Sequence, residues 1–314
     1  MLGSYVGRRI VSAIAVMAMV GVFVFLLLRL APGDPADVIA GPNAPQQMIE
    51  AIRERMGLNQ PMLVQFMRWV RDMASGNFGI SIFADRPVLE LMLQRMEPTL
   101  SLSILTMILS VIVGVSFGIL AAWRSGGLVD RLLTAFSAVG FSVPVFVVGY
   151  VLVYFLAIRT RWLPVQGYVP LERGLAPWFV QLILPTLTLS VAYIAYFARI
   201  TRASMLEVLS EDFMRTAAAK GASPYAMLFN HALKNAGVPI VTVIGMSFAY
   251  MVGGVVVTET VFNIPGIGRL VVDAINSRDY PVIQGVLIVV SGLYVLINLA
   301  VDLLYTLIDP RIRY

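Results

Sequence analysis

The chain alternates between long uncharged apolar runs and shorter segments that carry its charges. Six runs of 19 to 27 residues contain no Asp, Glu, Lys or Arg. About 20 apolar residues of α-helix cross the hydrocarbon core of a bilayer, so each run is long enough to span it. The runs cover residues 10–28, 99–123, 132–158, 174–198, 235–258 and 280–301. The pattern therefore predicts an all-α integral membrane protein with six transmembrane helices.

A longer polar segment, residues 32–98, lies between the first two runs and has a helical pattern of its own. Apolar residues recur at helical spacing over residues 48–56. Pro61 fits the first position of a second helix. The apolar stripe of that helix comprises Leu63, Phe66, Met67 and Val70. A third short helix is predicted over residues 88–95, ending before Pro98. We interpret the segment as a helical insertion that caps the membrane surface; a docking surface for an external partner is the alternative.

Six spans place both termini on the same side of the membrane, and the basic residues indicate which side. With both termini in the cytoplasm, the inner segments hold 11 Lys and Arg residues and the outer segments 12. The positive-inside rule discounts long segments, and without residues 29–98 the outer count falls to five. We therefore predict cytoplasmic N and C termini. The predicted domains are residues 1–31 (N terminus and TM1), 32–98 (periplasmic insertion) and 99–314 (TM2–TM6, with the cytoplasmic segment 199–234).

Composition excludes several kinds of chemistry. Only 13% of the 314 residues are charged and 59% are hydrophobic, whereas soluble domains carry about 25% charged residues. The sequence has no cysteine and a single histidine, His231, which excludes thiolate and multi-histidine metal sites. Neither lysine, Lys220 or Lys234, stands in a phosphate-binding P-loop motif. We predict no catalytic residue and no metal site, and we assign the pI of about 9.6 to membrane topology rather than to nucleic-acid binding.

The cytoplasmic segment 199–234 has the most specific pattern in the chain. A helix is predicted over residues 203–220, and Gly221 stands where a glycine ends a helix. Ser223 can cap a second helix and Pro224 can open it. The segment is thus predicted to form a helix–turn–helix outside the membrane, with small residues that allow a partner to approach its backbone closely. The alternative is an amphipathic helix lying on the membrane surface.

At this segment the sequence resembles a known family. Residues 215–221 (Arg-Thr-Ala-Ala-Ala-Lys-Gly), followed by His231 and Asn235, resemble the “EAA” loop of bacterial ABC importer permeases, in particular the dipeptide, oligopeptide and nickel branch. Further likenesses to that branch follow in order along the chain, at residues 31–35, 57–61, 76–81, 142–146, 258–269, 278–281 and 302–313. Each element alone is a weak signal, whereas the whole ordered set is specific.

The resemblance implies the type I ABC importer permease fold in a bacterial cytoplasmic (inner) membrane. It implies three kinds of partner: a second, homologous permease chain, two cytoplasmic ATP-binding subunits and an external substrate-binding protein. ATP and Mg would be bound by those ATPase subunits, with no cofactor and no enzymatic activity on this chain. The implied cargo is di- or oligopeptides, with glutathione, a nickel complex or an oligosaccharide as alternatives.

The same resemblance identifies the residues that the ATPases would push. The implied coupling interface comprises Glu211, Asp212, Arg215, Thr216, Ala217, Lys220, Gly221 and Ser223, supported by His231 and Asn235. The sequence departs from the general family motif at four positions. Arg215 stands where that motif has Glu, while Phe213 and Ala218 replace the commoner Tyr and Arg, and Lys234 replaces the Pro of sugar permeases. These departures are compatible with the coupling role, but the motif then does not assign that role to particular side chains.

Polar residues and prolines in or at the end of the apolar runs, together with one phenylalanine, are candidates for a translocation pathway, since polar groups are costly in lipid and face protein or water. The candidates are Pro144, Phe146, Glu259 and Asn298. For Glu259 the alternative is a structural pair with a residue such as Arg269.

Three other classes of protein fit the sequence less well. A secondary carrier would show an internal repeat, an intramembrane protease would need a catalytic motif, and an exporter half would usually carry its own nucleotide-binding domain.

Overall fold

The computed structural model describes residues 2–30, 34–41, 44–55 and 57–308, and over these ranges the chain is mainly helical. The α-helices are α1 (Leu2–Leu30), α2 (Pro35–Ala40), α3 (Gln46–Arg55), α4 (Met62–Ala74), α5 (Val88–Trp123), α6 (Leu128–Ser142), α7 (Val145–Leu152), α8 (Leu175–Leu209), α9 (Asp212–Ala219), α10 (Leu233–Gly254), α11 (Val256–Val261), α12 (Ile267–Ser277) and α13 (Tyr280–Ile308). Two π-helical segments, Val153–Arg159 and Ala226–Ala232, and a 3-10 turn, Leu171–Arg173, accompany them. Within the described ranges the β structure is a single bridge between Ile80 and Pro87. The predicted all-α class is confirmed.

Five helical stretches are long and apolar enough to cross a membrane. They are Gly7–Leu27, Val88–Trp123, Leu175–Leu209, Ala226–Met251 and Tyr280–Asp302. A sixth candidate span is formed by α6 and α7 with the π-helical segment that follows α7. The described part of the chain therefore has five spans, or six if the bent pair counts as one.

The third predicted span is broken near its middle. The sequence predicts a span over residues 132–158 that is kinked or broken at Pro144, and this is confirmed, because Leu128–Ser142 and Val145–Arg159 meet at an angle of 103°. Pro144 lies at the junction, where it offers no N–H to a helix. It also disfavours the helical conformation for the residue before it, and Val143 is accordingly extended (φ −81°, ψ 126°).

Pro98 does not end a helix, contrary to the sequence-based expectation. The predicted short helix over residues 88–95 is wrong, since α5 runs without a break from Val88 to Trp123 with Pro98 inside it. An internal proline removes one backbone hydrogen bond. The residues that follow are nevertheless well buried, Thr99 at 2% and Leu102 at 0% exposure. Packing of these side chains outweighs the local preference of proline.

The predicted helix over residues 203–220 is also wrong, because the segment contains two helices. The long helix α8 ends at Leu209, and α9 begins at Asp212. Ser210 closes α8, as its hydroxyl donates a hydrogen bond to the carbonyl of Glu207 (2.7 Å). Serine side chains compete in this way with the helical backbone pattern.

The chain divides into two compact units. Unit 1 comprises Met1–Met96 and Ile267–Leu296, and unit 2 comprises Glu97–Gly266 and Ile297–Tyr314. An apolar core in unit 1 joins the start of α5 to α12 and α13. It includes Val88, Met92, Leu270, Ile283 and Val286. The motif residues 31–33 and 309–313 lie outside the described residues.

Close helix contact in unit 2 depends on small residues. A Cβ atom added to Gly114 of α5 would lie 2.8 Å from the Cβ of Phe197 in α8. One turn further along α5, a Cβ atom on Gly118 would overlap Thr201 of α8. Small residues four positions apart let two membrane helices approach each other closely. The pair Gly114 and Gly118 therefore sets the spacing between α5 and α8.

Helices α2, α3 and α4 lie within residues 32–98, where the sequence predicts an insertion, and two of them are tied by an ion pair. Asp34 caps α2 by accepting a hydrogen bond from the N–H of Ala36 (2.9 Å), and its carboxylate pairs with Arg53 of α3. Partial burial acts to raise the pKa of Asp34, but the hydrogen bonds from Arg53 and Ala36 outweigh it and lower the pKa below its ordinary value. The carboxylate therefore stays charged and holds α2 against α3.

Helix α4 packs on the end of α1 through only part of its apolar stripe. Phe66 and Trp69 lie against Phe25 of α1, with ring centroids 5.1 and 5.7 Å away. The other predicted stripe residues, Leu63, Met67 and Val70, are exposed at 65%, 61% and 41%. The stripe is therefore divided between a packed face and an exposed face.

Candidate functional site

Helix α9 ends in a fixed turn at Gly221. The N–H of Gly221 donates to the carbonyl of Ala218 (2.9 Å), and the N–H of Ala222 donates to the carbonyl of Ala217 (3.1 Å). These two hydrogen bonds define a Schellman motif. Gly221 has a φ of 82°, a left-handed conformation that glycine adopts without steric cost. The prediction that Gly221 ends this helix is confirmed.

The second arm of the turn starts as the sequence predicts. The hydroxyl of Ser223 accepts a hydrogen bond from the N–H of Ala226 (3.3 Å), which is the geometry of a helix cap. Pro224 follows at the first helical position, where its missing N–H has no cost. The arm continues as the π-helical segment Ala226–Ala232 and then as α10. Residues 212–232 therefore form a helix–turn–helix within the segment 199–234, and we call these residues the coupling segment after the role predicted for them.

Apolar contacts hold the coupling segment to the rest of unit 2. Met214 of α9 and Leu228 of the second arm are exposed at only 1% and 3%. Both belong to a core that includes Met205 of α8 and Ala236 of α10. Removing each such side chain from water contributes about 1.5–3 kcal/mol. The segment is thus anchored from one side.

The residues of the predicted coupling interface lie on the other side. Seven of them are exposed and one, Ala217, is half-buried; the exposed ones are Glu211, Asp212, Arg215, Thr216, Lys220, Gly221 and Ser223. The side chains of Arg215 and Asp212 lie 3.6 Å apart and are exposed at 81% and 97%. An ion pair so exposed contributes about 0–1 kcal/mol. Both side chains can therefore reorient toward a partner at little cost.

The two predicted support residues are brought together by the start of α10. The amide of Asn235 donates a hydrogen bond to the backbone carbonyl of His231 (2.7 Å). His231 is half-buried and Asn235 is exposed. The contact extends the helical pattern where the π-helical segment passes into α10. A role in supporting the turn stays a prediction.

An exposed aromatic group on the coupling segment is absent from the sequence-based prediction. The rings of Tyr225 and Phe229 lie 4.6 Å apart at their centroids. They are exposed at 67% and 37%, and Phe213 of α9 is exposed at 43%. The sequence contains a signal for this pair, because the two aromatic residues are four positions apart after a Ser-Pro cap, and residues i and i+4 share a helix face. Aromatic side chains of this kind are common anchors in protein interfaces.

A second missed feature is an ion pair that joins α6 to α8. The guanidinium of Arg202 binds the carboxylate of Asp130 with both ends, at 2.5 and 2.8 Å. The backbone N–H of Gly126 donates to the same carboxylate (2.9 Å), and the Asp130 side chain is only 7% exposed. Bidentate pairs of this type are among the strong hydrogen-bonded contacts. The two residues are 72 positions apart, so no local pattern reveals the pair.

Arg202 of this pair lines a cavity of about 330 Å³ between α5, α6 and α8. The lining also includes Phe117, Phe141 and Arg199. The guanidinium carbon of Arg199 is 5.5 Å from the ring centre of Phe141. A cation placed over an aromatic ring in this way is attracted by the electrons of the ring.

The candidate pathway residues lie on three separate elements. Pro144 and Phe146 stand at the junction of α6 and α7, and Phe146 is 47% exposed. Glu259 is in α11, and Asn298 is half-buried in α13. Helix α7 packs on α11, because a Cβ on Gly149 would lie 3.4 Å from the side chain of Val261. The structure thus brings the helix of Phe146 against the helix of Glu259.

Glu259 is a fully buried carboxylate. Its exposure is 0%, and the hydroxyl of Thr99 in α5 donates a hydrogen bond to its Oε1 atom (2.6 Å). The chain then turns back at Asn263, and Gly266 comes so close that a Cβ atom there would overlap the carboxylate. Burial together with a hydrogen-bonded partner fits a structural role for Glu259. The pairing with Arg269 and a role in the pathway both stay predictions.

The sequence matches those of known membrane transport proteins. Residues 114–314 match the family described as binding-protein-dependent transport system inner membrane component, and residues 1–103 match the N-terminal region of such membrane components. The chain is 74% identical over 313 residues to the probable peptide ABC transporter permease protein y4tP of Sinorhizobium fredii, with 100% of both chains covered. It is 44% identical to the glutathione transport system permease protein GsiC of Escherichia coli K12, with 99% of both covered.

Solved structures share the fold. The MetNI methionine ABC transporter in an inward-facing conformation matches with a TM-score of 0.57 at 18% identity, over 70% of this chain and 97% of that one. An amino acid ABC transporter solved with histidines matches with a TM-score of 0.51 at 17% identity, over 71% of this chain and 94% of that one.

The chain belongs to the family of binding-protein-dependent transport system inner membrane components. It is therefore a multi-pass membrane permease of an ABC importer. It is a transport subunit and not an enzyme.

Proposed function

We propose that this permease translocates di- or oligopeptides that an external binding protein delivers. The support is the 74% identity, over the full length of both chains, to a relative named as a probable peptide ABC transporter permease. Glutathione is the second candidate, because the GsiC relatives at 44% identity carry that name and glutathione is itself a small peptide. The family resemblance implies that the external binding protein selects the ligand.

We further propose that the coupling segment is where an ATPase subunit pushes on the permease. The supporting observation is its two-sided construction. One side is anchored by Met214 and Leu228, and the other exposes a backbone turn around Gly221 with small neighbours. A Cβ atom at Gly221 would meet no atom within 4 Å, so a partner can approach the turn closely. Movement of such a rigid turn would pass to α8 and α10, to which it is joined.

The proposed assembly contains a second homologous permease, two ATP-binding subunits and the external binding protein. ATP and Mg would be bound by the ATPase subunits. The proposed topology has both termini in the cytoplasm, with the coupling segment on the same side. The charge distribution supports it once the long segment 29–98 is left out, since 11 Lys and Arg residues then fall inside and five outside.

Reconstitution tests this function directly. The chain would be purified with the permease, ATPase and binding-protein subunits encoded beside it and placed in liposomes. ATP-dependent uptake of a radiolabelled tripeptide is expected, and uptake should stop when either the ATPases or the binding protein is left out. Glutathione uptake with exclusion of other peptides would select the second candidate. Transport by this chain alone without ATP would overturn the importer assignment.

A further inference from the structure

We propose that α4 and the end of α1 form a phospholipid site: the exposed face of α4 lies among acyl chains, and an adjoining pocket holds the lipid phosphate. This site is independent of the proposed cargo and of the coupling segment. All of its residues belong to unit 1.

The first observation is the depth at which α4 packs. The apolar span in α1 covers Gly7–Leu27, and α4 packs on Phe25, inside that span. The indole N–H of Trp69 in α4 donates to the side chain of Gln284 (3.2 Å), which lies within the span that starts at Tyr280. Helix α4 therefore contacts two spans just inside their ends. An aromatic residue with a polar N–H is typical of this interfacial depth.

The second observation is an exposed apolar surface on α4. Its exposed apolar residues are Met62, Leu63, Val64, Met67 and Val70, at 41% to 65% exposure. Because α4 contacts two spans just inside their ends, acyl chains are the apolar material that this face meets at that depth.

The third observation is a pocket of about 160 Å³ beside the same helix. Its polar lining brings together the guanidinium groups of Arg29 and Arg68 and the carboxylate of Asp72. Its walls include Phe25 and Trp69, so it lies at the depth where headgroups begin. Two cations against one carboxylate leave a net positive charge. A phosphate is the anion that a membrane supplies at this depth.

The cationic side chains are held by local contacts. Arg29 donates to the backbone carbonyl of Phe25 (3.1 Å), its guanidinium lies 3.6 Å above the Phe25 ring, and it hydrogen bonds Gln65. Arg68 folds over Gly57, where an added Cβ would lie 2.7 Å from its guanidinium nitrogen. Among the described residues, no carboxylate lies within ion-pair distance of either guanidinium. A phosphate oxygen could therefore accept hydrogen bonds from both.

Spin labelling tests the apolar face, and the absence of native cysteine makes single labels direct. The complete transporter in nanodiscs would carry a nitroxide at Met67→Cys or, as the control, at Gln47→Cys, an exposed polar position of α3. The label at position 67 is expected to collide more with oxygen, which partitions into lipid, than with a water-soluble nickel chelate. The control should show the reverse. Preferential collision with the nickel chelate at position 67, or loss of oxygen access on adding the binding protein, would overturn the lipid assignment.

Native mass spectrometry of the delipidated complex tests the pocket. Phosphatidylglycerol would be titrated against wild type, Arg68→Gln and the control Arg71→Gln, which removes an exposed charge of α4 outside the pocket. Loss of a charge-assisted hydrogen bond should weaken lipid retention about tenfold in Arg68→Gln, with Arg71→Gln close to wild type. Inorganic phosphate serves as the second ligand. Equal retention by both variants overturns the site, and displacement of lipid by millimolar phosphate alone would identify it as a free-anion site.

Discussion

Two short helices of unit 2 end in turns that need glycine for opposite reasons. At the end of α9, Gly221 faces open space, with no atom within 4 Å of an added Cβ. In the turn after α11, Gly266 lies directly against the buried carboxylate of Glu259. The first glycine leaves room for something outside the chain, and the second leaves room for the chain itself. Substitution of Gly221 should therefore impair coupling to the ATPases, whereas substitution of Gly266 should impair folding.

The largest expected loss is in Gly266→Ala. The added methyl group would overlap the Glu259 carboxylate, which is buried and cannot move aside. Overpacking of this kind costs about 1–3 kcal/mol or more, so the thermal unfolding midpoint of the purified complex should fall. The matched control is Gly237→Ala, at a helical position where an added Cβ meets nothing within 4 Å. The control should be unchanged or slightly stabilised; equal midpoints for the two variants would contradict the packing argument.

A smaller loss is expected in Thr99→Val, which keeps the side-chain shape but removes the hydroxyl that donates to Glu259 (2.6 Å). Depriving a buried carboxylate of a donor costs about 1–3 kcal/mol. Thr99→Ser retains the donor and should lie close to wild type. Differential scanning fluorimetry of the complex would measure both. If Thr99→Val has the same unfolding midpoint as the wild type but peptide uptake falls, Glu259 has a role in the translocation pathway rather than in stabilising the fold.

At the exposed turn, Gly221→Arg should lower ATP-driven uptake by about tenfold or more while the complex still assembles. The side chain would fill the space into which a partner must fit. The left-handed φ of 82° adds a strain of about 1–2 kcal/mol to any residue with a Cβ. Gly221→Asn is the control for that strain, since asparagine tolerates this conformation. Uptake and ATPase rates measured together would show uncoupling, and normal uptake in Gly221→Arg would remove the coupling assignment.

The smallest effect on stability is expected in Asp212→Asn. The side chains of Asp212 and Arg215 are exposed at 97% and 81%, so breaking their pair should change the free energy of unfolding by less than about 0.5 kcal/mol. Stimulation of the ATPases by the permease is the informative readout. A lower stimulation with an unchanged unfolding midpoint would place Asp212 in the contact with the ATPase. A lowered midpoint would show instead that the α9 surface is structural.

Features that depend on local chemistry could be predicted from the amino-acid sequence. Uncharged runs of 19 to 27 residues predict membrane helices because lipid offers no solvation for charge or for unpaired backbone. Gly221 and the Ser223–Pro224 cap were predictable for a similar reason: a left-handed turn and a helix start are satisfied by the residues that form them. The motif order along the chain indicated the family, and the family match confirms it.

Features that depend on contacts between distant residues became visible in the folded chain. Pro144 breaks its helix by 103° whereas Pro98 lies inside an unbroken one, and the same local preference acts at both. The residues beside Pro98 are held by packing, which no local pattern encodes. The pair of Asp130 with Arg202 and the hydrogen bond of Thr99 with Glu259 likewise join residues that lie far apart in the sequence. Contacts of this kind are set by how the helices pack, because each partner is chosen by position in space rather than by position in the chain.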